Sequence, residues 1–200
     1  DSVFAQTFTD YEVIVVDDGS TDNTREVLAP HMNRIRYIYQ ENKGVAAARN
    51  RGIREARGEF VAFLDSDDLW EPNALSKTVA AFERYPQAGL VSMMAREITP
   101  EGGRTNRIYG KRSPGLFYST ESLLWGDSGG CSWFAARRDA LEKVGYYDEN
   151  LRSAEECDLC LRLSFETTLA ALREPLLLRR LHPDNLSRDK LLNAKQWIYI

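Results

Sequence analysis

The feature that most constrains this chain is the alternation, from Tyr11 to Met94, of short β-rich apolar runs with stretches of helical period. Tyr11 to Asp17, Arg34 to Gln40, Phe60 to Leu64 and Ala88 to Met94 are the strand candidates, and helices are expected at about Asp22 to Ala29, Gly44 to Ala56 and Pro72 to Tyr85. Succession of this kind predicts an α/β fold on a parallel sheet. Several boundaries carry their own chemistry. Thr21 or Asp22 can cap the helix after the first strand, Gly58 stands where the next helix should stop, and Pro72 suits a first helical turn.

The rhythm then breaks. Residues 97–130 are rich in Gly, Ser, Thr and Arg without a clear period, and short elements return at Ser132 to Arg137, Asp139 to Val144, Glu155 to Leu163 and Thr168 to Leu178. With 43% hydrophobic and 28% charged residues among 200, the chain suits one globular domain over residues 1–200, and disorder does not compete. A net charge of -4, with basic residues scattered, argues against nucleic acid and against an acidic polyanion as partner.

Three cysteines, Cys131, Cys157 and Cys160, form the sparse, odd count usual in reduced proteins. Cys157 and Cys160 make a C-x-x-C on an expected helix, where half-buried thiols are favoured over a metal or redox site. No apolar run reaches the roughly 18 to 20 residues of a membrane span, and no signal peptide is visible at the start. The expected location is cytoplasmic, the periphery of the inner membrane face included. The opening residues, Asp1 to Asp10, read as the end of a helix and a loop, so an element before them is expected.

In an open α/β sheet, ligands bind beyond the carboxyl ends of the strands. Two acidic clusters fall there, Asp17-Asp18-Gly-Ser-Thr-Asp22 and Asp65-Ser-Asp67-Asp68. In an extended segment Asp65 and Asp67 point the same way, which suits a hard cation such as magnesium or manganese. An Asx turn with Asp65 and Asp68 capping toward Pro72 explains the same residues equally well. Arg49 falls inside the apolar stripe of Val45, Gly52, Ile53 and Ala56 and so needs an anionic partner. A phosphate, a ribose network or a carboxylate such as Asp17 or Asp18 would serve; snorkelling outward is the remaining option. Glu155, Glu156 and Asp158 open a helix, where acids favour the dipole and where Glu156 could also act as a general base. His182 stands in a loop, either as a surface histidine or as a metal ligand.

Taken in order, these segments resemble the family 2 inverting glycosyltransferases of the GT-A fold. The matching pieces are Ala5-Gln-Thr-Phe-Thr-Asp-Tyr-Glu12, Val15-Val-Asp-Asp-Gly-Ser-Thr-Asp22, Asn42-Lys-Gly-Val-Ala-Ala-Ala-Arg-Asn-Arg-Gly52, Gly58-Glu-Phe-Val-Ala-Phe-Leu-Asp-Ser-Asp-Asp68, Val144-Gly-Tyr-Tyr-Asp148 and His182-Pro-Asp-Asn-Leu-Ser187. A D-x-D alone is weak; the shared order over nearly the whole chain is specific. The resemblance implies a mixed, mainly parallel sheet flanked by helices, with residues 1–96 as the nucleotide-binding half and residues 97–200 as the half that binds acceptor and carries the base. The family's first strand is missing from this chain.

By the same resemblance, Asp18 would hold the nucleobase, Arg49 would lie against the nucleotide, Asp65 would face the ribose or metal, and Asp67 would ligate a divalent Mg or Mn ion with His182 beside it. Glu156 takes the position of the catalytic base, where the family usually carries aspartate. The implied partners are a nucleotide-diphosphate sugar, a UDP-sugar first, and a glycan, lipid-linked or other hydroxyl acceptor. Gly129, Gly130 and Trp133 are the acceptor-side candidates, core packing being the competing use of the tryptophan. A nucleotide-sugar-binding domain that has lost catalysis is the alternative. A sugar nucleotidyltransferase would need a Gly-rich phosphate loop that the sequence does not show.

Overall fold

The computed structural model describes residues 1–110, 117–118 and 133–182. Strand β1 (Ile14–Asp18) pairs in parallel with β2 (Arg36–Gln40), Ile14 opposite Arg36 and Asp18 opposite Gln40. Helix α1 (Thr24–Leu28) and one 3-10 turn (Ala29–His31) form the crossover between them. The helix starts later than Asp22 because the Asp22 carboxylate accepts the Thr24 N–H from outside the helix, as an Asx turn does.

Helix α2 (Val45–Glu55) buries Ala46, Ala47, Asn50 and Ile53. Its Gly52 lies over β1, where an added Cβ would make an ordinary contact with Val16 Cγ2 at 3.7 Å. Strand β3 (Phe60–Ala62), the two-residue β4 (Leu69–Trp70) and helix α3 (Ala74–Arg84) follow. Strand β5 (Ala88–Ile98) is then joined through a turn to β6 (Arg104–Tyr109), with β7 (Phe117–Tyr118) beyond. The chain closes its described part with β8 (Phe134–Arg137), α4 (Arg138–Val144), α5 (Glu155–Glu166) and β9 (Thr168–Arg180).

Among the described residues the larger sheet runs β3-β8-β5-β9-β4, with β6 on β5 and β7 on β9. The α/β class, the mixed sheet and the flanking helices are as expected, but the pairing is less parallel than the strand-helix alternation implies. Among the described strands only β1 with β2 and β5 with β9 run parallel; β3–β8, β5–β8, β5–β6, β4–β9 and β7–β9 are antiparallel. The cause is the insertion of β8 between β3 and β5, strands that a simple βαβ unit would have set side by side.

The region beyond Glu97 holds a hairpin where no period is visible in the sequence. Thr99 N–H donates to the Gly103 carbonyl and Gly102, at φ 93°, donates to Thr99, so the Thr99-Pro-Glu-Gly-Gly103 turn returns the chain onto β5. Strand β9 outlasts its expected end at Leu178 by two residues and bulges around Pro175, whose missing N–H cannot serve the ladder. Three apolar clusters fill the interior. One, with Ile53, Leu90, Phe134, Leu159 and Leu163, ties α2 and α5 to the sheet; a second surrounds Trp70, Met93 and Trp133; a third surrounds Phe82 and Val91. Each fully buried Leu or Phe here is worth roughly 1.5 to 3 kcal/mol.

Candidate active site

The carboxyl ends of β1 and β3 bring the two acidic clusters to the same edge of the fold as the start of α5. At the end of β1 the roles of Asp17 and Asp18 separate. Asp17 is buried; its carboxylate accepts the Tyr37 hydroxyl and the Ser20 N–H at 2.8 Å, and these bonds, Tyr37's first, hold its carboxyl below the usual range. Asp18 accepts from Gln40 Nε2 at 2.8 Å and from the backbone N–H groups of Lys43 at 2.9 Å and Gly44 at 2.8 Å. It therefore welds β1 to the entry of α2. A carboxylate has about four acceptor sites, so one remains for a ligand donor. Gly19 makes the turn at φ 76°, with so little room that an added Cβ would lie 2.7 Å from the Asn42 nitrogen.

Arg49 joins the rest. Its Nη2 donates to Asp65 Oδ1 at 3.0 Å, while its Nη1 stands 2.8 Å from Glu155 Oε1 and 2.7 Å from Glu156 Oε1. The anionic partner demanded by its place on α2 is thus supplied by the loop after β3 and by the first turn of α5. It is not a β1 carboxylate: Asp17 is engaged by Tyr37 and Ser20, and Asp18 by Gln40, Lys43 and Gly44. The side chains of Arg49, Glu155 and Glu156 are 12%, 7% and 18% exposed, so these charges meet with little water between them. Burial opposes the charge on Arg49, yet Glu156, Asp65 and Glu155 keep it firmly protonated. One guanidinium does not balance three carboxylates. Burial first, with repulsion from Glu155 and Asp65 against the pull of Arg49, moves the Glu156 carboxyl up to about 7.

The D-x-D loop divides its labour. Asp68 is buried, its N–H donates to the Asp65 carbonyl at 3.1 Å and its carboxyl accepts the Arg180 N–H at 2.8 Å; burial raises this carboxyl to about 7. Arg180 Nε also donates to the Asp67 carbonyl at 3.0 Å, and its Nη1 reaches the carbonyl of Pro100. The end of β9 thereby fixes the loop. Asp67 instead turns its Oδ2 to His182 Nε2 at 2.9 Å, both side chains about one-third exposed. A carboxylate and an imidazole this close are a donor set suited to Mn or Mg together with a ligand's oxygens. Among the described residues no three His, Cys, Asp or Glu side chains converge into a complete metal cage.

Asn50 was missed by sequence reasoning. It is 1% exposed, its Nδ2 donates to the Tyr147 carbonyl and to Glu149 Oε1 at 2.9 Å each, and its Oδ1 accepts the Tyr147 N–H at 2.9 Å. The segment it grips is strained. Gly145 closes α4 in the left-handed region and Tyr146 follows at φ 69°, an uncommon conformation for a bulky residue. The turn delivers the Tyr147 ring to 5.5 Å from the Arg49 guanidinium. An Asn adjacent to a buried Arg on one helix was the available signal.

Of the acceptor-side candidates, Trp133 is 5% exposed in the core with Trp70 and Met93, and Arg179 stands 5.7 Å over its ring. Core packing is the use the structure gives it, since a buried ring offers no open face to a sugar. Gly129 and Gly130 lie outside the described residues, as does Cys131. Cys160 is buried and Cys157 half-buried, both packed against the cluster beneath α5.

A search for relatives matches residues 1–145 to the model of glycosyl transferase family 2. An uncharacterized glycosyltransferase of Nostoc sp. is 36% identical over 156 residues, which are 72% of this chain and 47% of that protein. The chondroitin synthase of Escherichia coli is 33% identical over 197 residues, 96% of this chain and 28% of that protein. This chain thus spans less than half the length of either. Among solved structures, S. aureus TarS residues 1–349 in complex with UDP superposes with a TM-score of 0.75 at 22% identity, covering 91% of this chain and 55% of that one. The same segment in complex with UDP-GlcNAc gives 0.76 at 21% identity, covering 92% and 54%. Identities this low speak to the fold, which is GT-A, and the family match over residues 1–145 carries the rest: the chain belongs to glycosyl transferase family 2.

Proposed function

We propose that this chain moves a sugar from a nucleotide-diphosphate donor, a UDP-sugar first among them, to a hydroxyl acceptor with inversion. The observation that carries the reading is the meeting of Asp65, from the D-x-D loop, with Glu156, from α5, on the single guanidinium of Arg49. It sets a donor-side carboxylate and a basic carboxylate on two sides of one guanidinium. The structural likeness to a protein solved with UDP and with UDP-GlcNAc supports the donor class.

In the proposed reaction Glu156 accepts the proton of the acceptor hydroxyl as its oxygen bonds to the anomeric carbon. The bond from that carbon to the diphosphate oxygen breaks, and the nucleotide diphosphate leaves with the electron pair. Attack from the side opposite the leaving group inverts the configuration, as in inverting hydrolysis with the acceptor in place of water. Asp18 and Asp65 line the donor side, and Asp18 keeps an acceptor site for a nucleobase N–H. Asp67 and His182 would hold a divalent Mg or Mn ion, which when bound offsets negative charge on the diphosphate. A carboxyl poised near 7 suits a base that must both take and release a proton at neutral pH.

The test is thermal stabilisation by a panel of UDP-, GDP- and dTDP-sugars with and without Mn, because a ligand of the folded state raises apparent stability by mass action. A shift with one nucleotide class, larger with Mn, supports the reading, and no shift with any donor overturns it. Product analysis by NMR of the anomeric carbon reads inversion directly. Metal-dependent binding with no transfer to any acceptor would instead leave a binding domain.

A further inference from the structure

We infer that Glu155 is a positioning residue for the transfer: from the first turn of α5 it anchors Arg49, so that the guanidinium reaches Glu156 on one side and Asp65 on the other. The inference rests on the assignment of Glu156 as the base. Acids in a first helical turn gain from the dipole while exposed, so the dipole gives no reason for Glu155 to be buried. It is nevertheless the least exposed of the three carboxylates around Arg49, its side chain at 7% against 18% for Glu156 and 45% for Asp65. A buried carboxylate is tolerated where a cation meets it, and Arg49 Nη1 does so at 2.8 Å.

Arginine has a long side chain with many rotamers, so a bridging guanidinium must be tied from a fixed point. Exposed Asp65 is a loose tie, and Glu156 has to exchange a proton. Glu155 is the remaining arm. It shares Nη1 with Glu156, so the position it gives Arg49 is also the position from which Arg49 pulls on the base. The Tyr147 ring, 5.5 Å from the guanidinium and carried by a backbone that Asn50 holds, adds a further contact.

Charge and anchorage are separable by substitution. The groups facing Glu156 are Arg49 from α2, Asp65 from the loop after β3, Tyr147 from the turn after α4, and Glu155 from its own helix. Glu155→Gln removes a repelling charge and keeps an oxygen for Nη1, whereas Glu155→Ala removes both. The experiment follows the Glu156 carboxyl carbon by 13C NMR across pH in the whole chain. Glu155→Gln is expected to lower the Glu156 midpoint by about one pH unit, within the range that a neighbouring charge commands. Glu155→Ala is expected to place it above that of Glu155→Gln, because the freed guanidinium leaves the base.

Equal midpoints in the two variants would overturn the inference, since charge alone would then account for Glu155. Should Glu155→Ala not fold, Glu155→Asp makes the same separation. It keeps the charge, but its carboxylate falls one methylene short of Nη1, so the guanidinium is no longer held at the base and the midpoint is expected to rise; an unmoved midpoint overturns the anchoring role. Failure of the base assignment shows elsewhere. If Glu156→Gln keeps the wild-type rate of UDP release from UDP-GlcNAc with Mn, that assignment falls while the titrations still report on Glu155.

Discussion

Arg49 Nη1 lies 2.7 Å from Glu156 Oε1, so the group proposed as base is paired with a cation. The pairing lowers its proton affinity while burial and the acids beside it raise it, and the balance stands at about 7 against an ordinary 4.5. For activity the sign is simple. The base works deprotonated, so kcat/KM should rise with pH through about 7 and fall about tenfold per unit below it. For stability the sign is opposite: a carboxyl raised in the folded state stabilises below 4.5, and that contribution is lost as pH rises through 7. A pH-rate profile beside a pH-stability profile checks both. Glu156→Gln should cut transfer by roughly 10²- to 10⁴-fold while donor binding, read by thermal shift, is kept.

Asp67 and His182 meet at 2.9 Å with about a third of each side chain exposed, so the pair itself contributes little to stability, about 1 kcal/mol at most. Asp67→Ala should therefore leave the melting temperature without ligand nearly unchanged. The extra stabilisation that Mn adds to UDP should disappear. His182→Ala should weaken the Mn effect less, since a hard cation leans more on carboxylate and phosphate oxygens than on imidazole. Differential scanning fluorimetry with UDP, with Mn and with both separates these outcomes, and an unchanged Mn increment in Asp67→Ala would remove it from the metal site.

Asn50 is bound to Tyr147 through both the N–H and the carbonyl of its backbone, in a buried position. Asn50→Ala orphans both groups at about 1 to 3 kcal/mol each. Asn50→Asp keeps an acceptor for the Tyr147 N–H but turns a second oxygen toward the Tyr147 carbonyl and the Glu149 carboxylate. It should be the more damaging of the two at neutral pH and recover part of the loss in acid. Urea denaturation at pH 5 and pH 8 measures the difference.

What the sequence revealed and what it hid divide along physical lines. Elements with strong period, such as α2, α3 and the apolar runs of β1, β2 and β5, were legible because burial of one face imposes the pattern. Strand β4 is two residues long and among the described strands pairs only with β9, and nothing in Leu69 and Trp70 could announce it. Antiparallel insertion of β8 was hidden because partner choice is a property of the assembled sheet. For Arg49 the need for an anion was visible, yet its partners are 16, 106 and 107 residues away, and spacing says nothing of such contacts. Asn50 escaped for the same reason, its partner Tyr147 being 97 residues on.

Asp67 and Asp68 are neighbours with different work, and substitution should part them. The Asp68 carboxyl is buried and accepts the Arg180 N–H at 2.8 Å, while Arg180 Nε holds the Asp67 carbonyl at 3.0 Å, so the end of β9 and the loop after β3 are bound through this one exchange. Asp68→Ala removes the carboxylate that accepts the Arg180 N–H and should cost about 1 to 3 kcal/mol. Asp68→Asn keeps an acceptor oxygen of the same reach and should cost much less. Because the loop places Asp67, Asp68→Ala should also weaken Mn-linked UDP binding, but only together with the loss of stability. Asp67→Ala should show the binding loss alone. Finding Asp68→Ala as stable as the parent, with Mn-linked binding gone, would make Asp68 rather than Asp67 the ligand and reverse the division between them.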